Sequence, residues 1–159
     1  MTDPSIHARP VKHNHARCVR DALDIAEQVC ARRAARLTKL RRRVLELVWR
    51  SHKAIKAYEI LDQLAPEIGV AQPPTVYRAL EFLMAHGLVH RVDSLNAFVG
   101  CADAAHRHDA QFFICDSCGT VSEIDDVTIG QAVSRGAKRL GFEVERRMIE
   151  LHGRCGVCQ

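Results

Sequence analysis

No stretch of this 159-residue chain is apolar for long enough to cross a bilayer as a helix. The first residues, MTDPSIHARPVKHNHARC, put charges and histidines where an export signal needs an apolar centre. The expectation is a cytoplasmic protein with no membrane partner. The signatures of zinc enzymes are missing too: there is no His-Glu-x-x-His, and no proline stands directly before a cysteine pair as in the nucleobase deaminases. Neither Cys-x-x-Cys is followed by the βαβ pattern of a thioredoxin-like dithiol. These absences argue against a hydrolase, a deaminase and a thiol oxidoreductase. The chain reads as a non-enzyme with no small organic substrate.

What it does have is cysteine, seven in all, an odd number in a chain without an export signal. Metal binding or redox chemistry then explains them better than a disulfide framework. A hydrophobic content of 47% is enough to bury a core, in one ordinary domain or two small ones. The densest stretch of metal-ligating types is Cys101 to Glu123, CADAAHRHDAQFFICDSCGTVSE. Cys115 and Cys118 form one Cys-x-x-Cys pair, and Cys155 and Cys158 form a second at the end of the sequence. Two pairs give four thiolates, the number a closed tetrahedral structural zinc site requires. The 36 residues between Cys118 and Cys155 exceed the roughly 15–20 of a compact zinc ribbon, so a helix and a strand must fit between the pairs.

The net charge of +4 is unevenly spread. Residues 1–92 hold 16 Lys and Arg against 9 Asp and Glu, or +7, and the remainder comes to −3. Segregated positive charge attracts phosphates, although a solvated surface has the same composition. Residues 1–14, with Pro4, Pro10, His7 and His13, lack apolar periodicity and are expected to form a flexible arm. From 15 to 34, Cys18, Ala22, Ile25 and Val29 step like one face of a helix, with Cys18 and Cys30 read as small buried hydrophobes. Thr38 suits the N-cap of a second helix whose inward face is Leu40, Val44, Leu47 and Val48. Seven basic residues crowd Arg32 to Arg43, among them Arg36 and Lys39; they are either phosphate contacts or surface decoration.

A short third helix is expected over 57–64, broken by Pro66, Gly69 and the Pro73-Pro74 pair. In the fourth, TVYRALEFLMAH, Pro74 suits the first turn, Pro73 keeps the approach extended, and Gly87 takes the C-cap role. Val76, Leu80, Leu83 and Met84 form its inner face, leaving Thr75, Tyr77 and Arg78 outward as in a helix that enters the major groove. Arg78 can pair bidentately with guanine, and Thr75 and Tyr77 can reach phosphate or a thymine methyl. A plain helical bundle shares this pattern. The runs LVHRV and AFVGC across DSLN read as a hairpin, however, and a helix-turn-helix with such a wing is a winged helix that binds double-stranded DNA.

In the second half, AQFFIC and CGTVSEI are strand candidates. Asp125 or Asp126 caps a helix with an inward line of Ile129, Val133, Ala137 and Leu140, and FEVERRMIEL follows as a longer strand. So small a sheet leaves an edge open, and pairing with a second copy covers it. The fold class is α+β: an N-terminal winged-helix DNA-binding domain over 15–93, a wing end and hinge over 94–105, and a small, zinc-stapled α/β dimerisation domain over 106–159.

With these motifs in view, RLT at 36–38, PPTVYRAL at 73–80, HGLVHRV at 86–92, FICDSCG at 113–119 and HGRCGVC at 152–158, the chain resembles the ferric uptake regulator family, most closely its zinc-sensing branch. The resemblance implies a homodimeric, zinc-responsive repressor of zinc uptake genes that reads a palindromic operator. An iron- or peroxide-sensing regulator is the alternative. It implies Zn2+ at two sites per chain, a structural one on the four thiolates and a regulatory one on His90, Cys101, His108 and Glu123. It also implies that Tyr58 joins Arg78 on DNA. His106, Asp109 and His152 are further candidate ligands. Two departures stand out: Asp109-Ala110-Gln111-Phe112 replaces a dense His-His-Asp-His run, and Lys39-Leu40 replaces Pro-Gln after RLT, with Lys39 able to contact phosphate.

Overall fold

The computed structural model describes residues 5–6, 14–68, 73–105 and 108–159. The chain divides into two compact units, Val11–Arg107 and Met1–Pro10 with His108–Gln159. A two-residue strand, β1 (Ser5–Ile6), pairs antiparallel with a strand of the second unit; it lies inside the stretch expected to be a free arm.

The first unit begins with α1 (His15–Arg32), whose N-terminus is capped by the Asn14 side chain accepting from the Arg17 N–H at 3.2 Å. It ends with Ala34 at φ +49 and the Ala35 N–H donating back to the Cys30 carbonyl at 2.9 Å, a left-handed C-terminal turn made without glycine. Thr38 caps α2 (Lys39–Val48) as its position suggests, accepting from the Arg41 N–H at 3.3 Å. The third helix, α3 (Ala57–Ile68), runs through Pro66 instead of stopping before it. A proline in the last turn forfeits only one backbone bond, so the helix survives it. The fourth, α4 (Pro73–Ala85), takes both prolines into its first turn, where missing N–H groups cost nothing, so Pro73 is helical and not part of an extended approach. Gly87, at φ +70, lets the chain leave α4 in the left-handed region.

There β2 (Val89–Val92) and β3 (Ala97–Gly100) make the hairpin, paired from Val89↔Gly100 to Val92↔Ala97 and turned at Asn96 with φ +46. The four helices and the hairpin close on one apolar core that includes Val29, Val44, Leu45, Leu47, Leu83 and Leu88. Gly100 is required by this packing: a Cβ there would lie 2.2 Å from the Trp49 indole.

The second unit is a sheet in the order β1-β5-β4-β6 with one helix. β4 (Gln111–Cys115) and β5 (Val121–Asp125) are antiparallel neighbours, and β6 (Ile149–Gly153) returns parallel to β4 after α5 (Val127–Arg139). Asp126 is the N-cap of α5, accepting from the Thr128 N–H at 2.7 Å. Two expectations fail here. FEVERRMIEL is strand only from Ile149, because β4 offers partners to Ile149–Gly153 alone. The α5 line expected inward is only partly covered: Ile129 and Ala137 are half-buried, whereas Leu140 is 83% exposed and Val133 is also exposed, beside Phe142 at 68%. One thin sheet cannot bury both of its own faces and a helix as well.

Candidate metal centres and DNA-binding surface

β4 delivers Cys115 at its last position, and Gly119 at φ +74 turns the chain back so that its N–H donates to the Cys115 carbonyl at 2.8 Å. That tight turn brings Cys118 back beside Cys115. The parallel register sets Cys115 opposite Gly153, whose carbonyl accepts from the Asp116 N–H at 2.9 Å. Cys155 and Cys158 follow in a turn closed by the Cys158 N–H on the Cys155 carbonyl at 2.9 Å. All four sulfurs consequently lie within 4.8 Å of one another.

The spacing fits zinc. A tetrahedron with bonds of about 2.3 Å has sulfur–sulfur edges of about 3.8 Å, and Cys118 Sγ lies 3.8 Å from Cys155 Sγ. A disulfide would need about 2.05 Å. The thiols are already unequal: the Cys155 N–H at 3.3 Å, then the Cys118 N–H, pull Cys115 down to about 6. The Thr120 hydroxyl, 3.2 Å from Cys118 Sγ, lowers Cys118. Cys158, donating toward Cys155 and Cys118, is pushed up to about 12. One cation at the centre would replace these shared protons. His152 hydrogen-bonds Asp116 Oδ1 at 2.9 Å, tying the two cysteine segments together from outside the sulfur cluster.

The regulatory candidates fall into two pairs, one in each unit. In the first unit, His90 faces Val99 across the hairpin and Cys101 lies two residues further along, so both side chains occupy one face. The Cys101 N–H donates to the Leu88 carbonyl at 3.0 Å, which extends the ladder and fixes that residue. A ring nitrogen of His90 and the buried Cys101 thiol come within 4.8 Å. In the second unit, His108 Nε2 hydrogen-bonds Glu123 Oε1, with side chains only 5% and 7% exposed. A carboxylate buried this deeply needs a cation or a shared proton to balance it. His106 lies outside the described residues. Asp109 is taken by Arg147.

On α4, Val76, Ala79, Leu80 and Leu83 are buried while Tyr77 is 53% exposed, Arg78 is exposed and Thr75 is half-buried. Tyr58, at the start of α3, is 59% exposed. Arg36 and Lys39 are exposed as well. The basic cluster splits: Arg42 pairs with Glu27, Arg43 with Glu46 and Glu67, and the Arg41 guanidinium stacks 3.6 Å over Phe82. Those three brace α1, α3 and α4 around α2, and the Glu67 and Glu46 contacts push the Arg43 pKa above its usual range. Apart from Glu46, which lies one helical turn from Arg43, sequence reasoning missed these partners, the Trp49–Gly100 contact and the Asp109–Arg147 pair, all of which join residues distant in the chain.

Residues 32–152 match the ferric uptake regulator family. The zinc uptake regulation protein of Escherichia coli (strain K12) is 42% identical over 134 residues, which is 84% of this chain and 78% of that protein. A solved zinc uptake regulator complexed with zinc and DNA superposes with a TM-score of 0.83 at 40% identity, covering 88% of this chain and 94% of the other. A crystal structure of holo XcZur gives 0.79 at 40% identity over 87% and 96% of the two chains. An outward α4 beside a two-stranded wing, four clustered thiols and this breadth of similarity lead to one assignment: the chain belongs to the ferric uptake regulator family.

Proposed function

We propose that this protein is a zinc-responsive, DNA-binding transcriptional repressor of zinc uptake genes, acting in the cytoplasm as a homodimer on a palindromic double-stranded operator. It is a regulator and not an enzyme. One observation carries the reading: the unit that turns Tyr77 and Arg78 outward on α4 also presents a histidine nitrogen and a thiol, His90 and Cys101, on one face of its wing. DNA contact and metal donors thus share one rigid hairpin-and-helix body.

Cys115, Cys118, Cys155 and Cys158 hold a structural Zn2+. His90 and Cys101 from the wing, with His108 and Glu123 from the second unit, hold a regulatory Zn2+. Two imidazoles, a thiolate and a carboxylate are a donor set that zinc accepts, and the thiolate disfavours hard, oxygen-loving ions. That thiolate also weighs against the iron- or peroxide-sensing alternative. When bound, the regulatory zinc supplies a tie between wing and second unit. The chain's own residues do the rest: Arg78, Tyr77 and Thr75 read base edges and phosphates, while Tyr58, Arg36 and Lys39 hold the backbone. The exposed apolar residues of α5 and the segment after it, Val133, Leu140 and Phe142, are covered by a second copy, which sets two reading heads on a palindrome.

Gel-shift titration against a family-type palindrome over a series of buffered metals tests this. Operator affinity is expected to rise with zinc in the wild type and to stay at its zinc-free value in Cys101→Ser. Unchanged zinc dependence in Cys101→Ser would remove the regulatory role from this donor set.

A further inference from the structure

The segment carrying His108 is fastened to the rest of its unit at several points. The Asp109 carboxylate accepts from Arg147 Nη1, whose Nη2 donates to Ser134 Oγ at 3.0 Å. That hydroxyl in turn donates to the Gly130 carbonyl at 3.0 Å. Arg147 lies in the stretch before β6, and Ser134 and Gly130 lie on α5. A Cβ on Gly130 would sit 2.9 Å from Arg147 Nη1 and 3.7 Å from Asp109 Oδ2, so the guanidinium lies against the bare backbone of that position, and a side chain there would nudge its tip aside. Two residues beyond Asp109, the fully buried Gln111 donates to the Asp109 carbonyl at 2.5 Å and accepts from the Asp126 N–H at 2.9 Å. Both the carbonyl and the carboxylate of the residue next to His108 are thereby held.

We propose that Asp109, Arg147 and Ser134, with Gly130 making room for them, form a clamp that positions the His108 imidazole for zinc. The inference rests on the reading of His108 and Glu123 as zinc ligands. All four are positioning residues, since none touches the ion. The Asp109 side chain is 60% exposed, so its ion pair adds little to folding stability. Its work is orientation. A histidine ligand must offer its nitrogen along one direction, and loosening its neighbours widens the spread of ring orientations. Outer groups that orient metal ligands typically change metal affinity about 10–100-fold when removed.

The test uses the full chain and zinc itself, titrated against a chelator of known affinity, with cobalt(II) as a spectroscopic substitute. In Asp109→Asn and in Arg147→Gln the more weakly held zinc is expected to bind about tenfold less tightly, and the double variant no worse than either single. The ligand-field bands of cobalt at that site should shift while the thiolate-to-cobalt absorption of the four-cysteine site stays as in the wild type. Gly130→Ala keeps both charges and only crowds the guanidinium tip, so any loss it causes should be smaller than that of either charge variant. Affinity within about twofold of wild type in both charge variants, additive losses in the double variant, or a Gly130→Ala loss larger than that of either charge variant would each overturn the clamp. His108→Ala separates the two levels. If it keeps the second zinc at wild-type affinity, the ligand reading itself fails; if it loses that zinc while the clamp variants do not, only the clamp fails.

Discussion

The two units of this chain are held together by different forces. In the first, Leu45, Leu47, Ile60, Leu64, Leu80, Leu83 and Leu88 are essentially removed from solvent, and each such side chain contributes about 1.5–3 kcal/mol by burial. In the second, the only buried residue of α5 is Gly130, and Leu140 and Phe142 face solvent. Among the described residues, the buried apolar side chains there are Phe112, Ile114 and Cys115 of β4. A body with so small a core depends on other staples, and four thiols within 4.8 Å and an uncovered helix face are where a metal and a second copy would act. The unit that carries α4 and the wing is held by packing, whereas the unit with the four clustered thiols has far less core of its own. That asymmetry is what a sensor needs.

Perturbations can be chosen to strike one unit and spare the other. The largest effect is expected from Cys118→Ser or exhaustive chelation: loss of a structural zinc worth about 10–16 kcal/mol of apparent binding energy should unfold the second unit. In a two-dimensional amide NMR spectrum, signals of residues 111–153 would collapse while those of α1 to β3 keep their dispersion. Collapse of both sets would break the comparison. Conversely, Leu83→Ala, at a position with no exposure, should cost the first unit about 2–5 kcal/mol in a denaturant titration and release no zinc. Next in size, Leu140→Glu puts a charge on the exposed face of the second unit and should weaken the dimer about thirtyfold by sedimentation, with the four-cysteine site still loaded. The smallest effect sharpens the contrast from the stable side. Ala34 pays for a left-handed φ of +49 at the end of α1, and Ala34→Gly should raise the stability of the first unit by about 1 kcal/mol.

Much of this was legible in the residues because the signals are local. Thr38 before an apolar stripe, Gly87 after one, and two hydrophobic runs around Asp93-Ser94-Leu95-Asn96 each carry their own stereochemistry, and the caps and the hairpin lie where those signals put them. The two Cys-x-x-Cys pairs were legible for the same reason, since a metal imposes short spacing on its ligands. What could not be read depends on partners far away in sequence. Pro66 fails to stop α3 because its place in the last turn makes the lost bond cheap. FEVERRM alternates well enough for a strand but meets no neighbour on β4 before Ile149. The Ile129–Leu140 line has the right helical period, and periodicity says which face is apolar without saying what covers it. The basic cluster could not be divided from sequence because the partners of Arg42 and Arg43, Glu27 and Glu67, lie fifteen and twenty-four residues away.

The central claim is that one zinc, shared between wing donors and second-unit donors, is thermodynamically linked to operator binding. Linkage is reciprocal, so its most direct test is the affinity of the more weakly held zinc measured with and without saturating operator DNA. The account predicts tighter zinc binding on the operator, by roughly 5–150-fold and by the same factor with which zinc tightens DNA binding. Equal zinc affinity in the two conditions would contradict it.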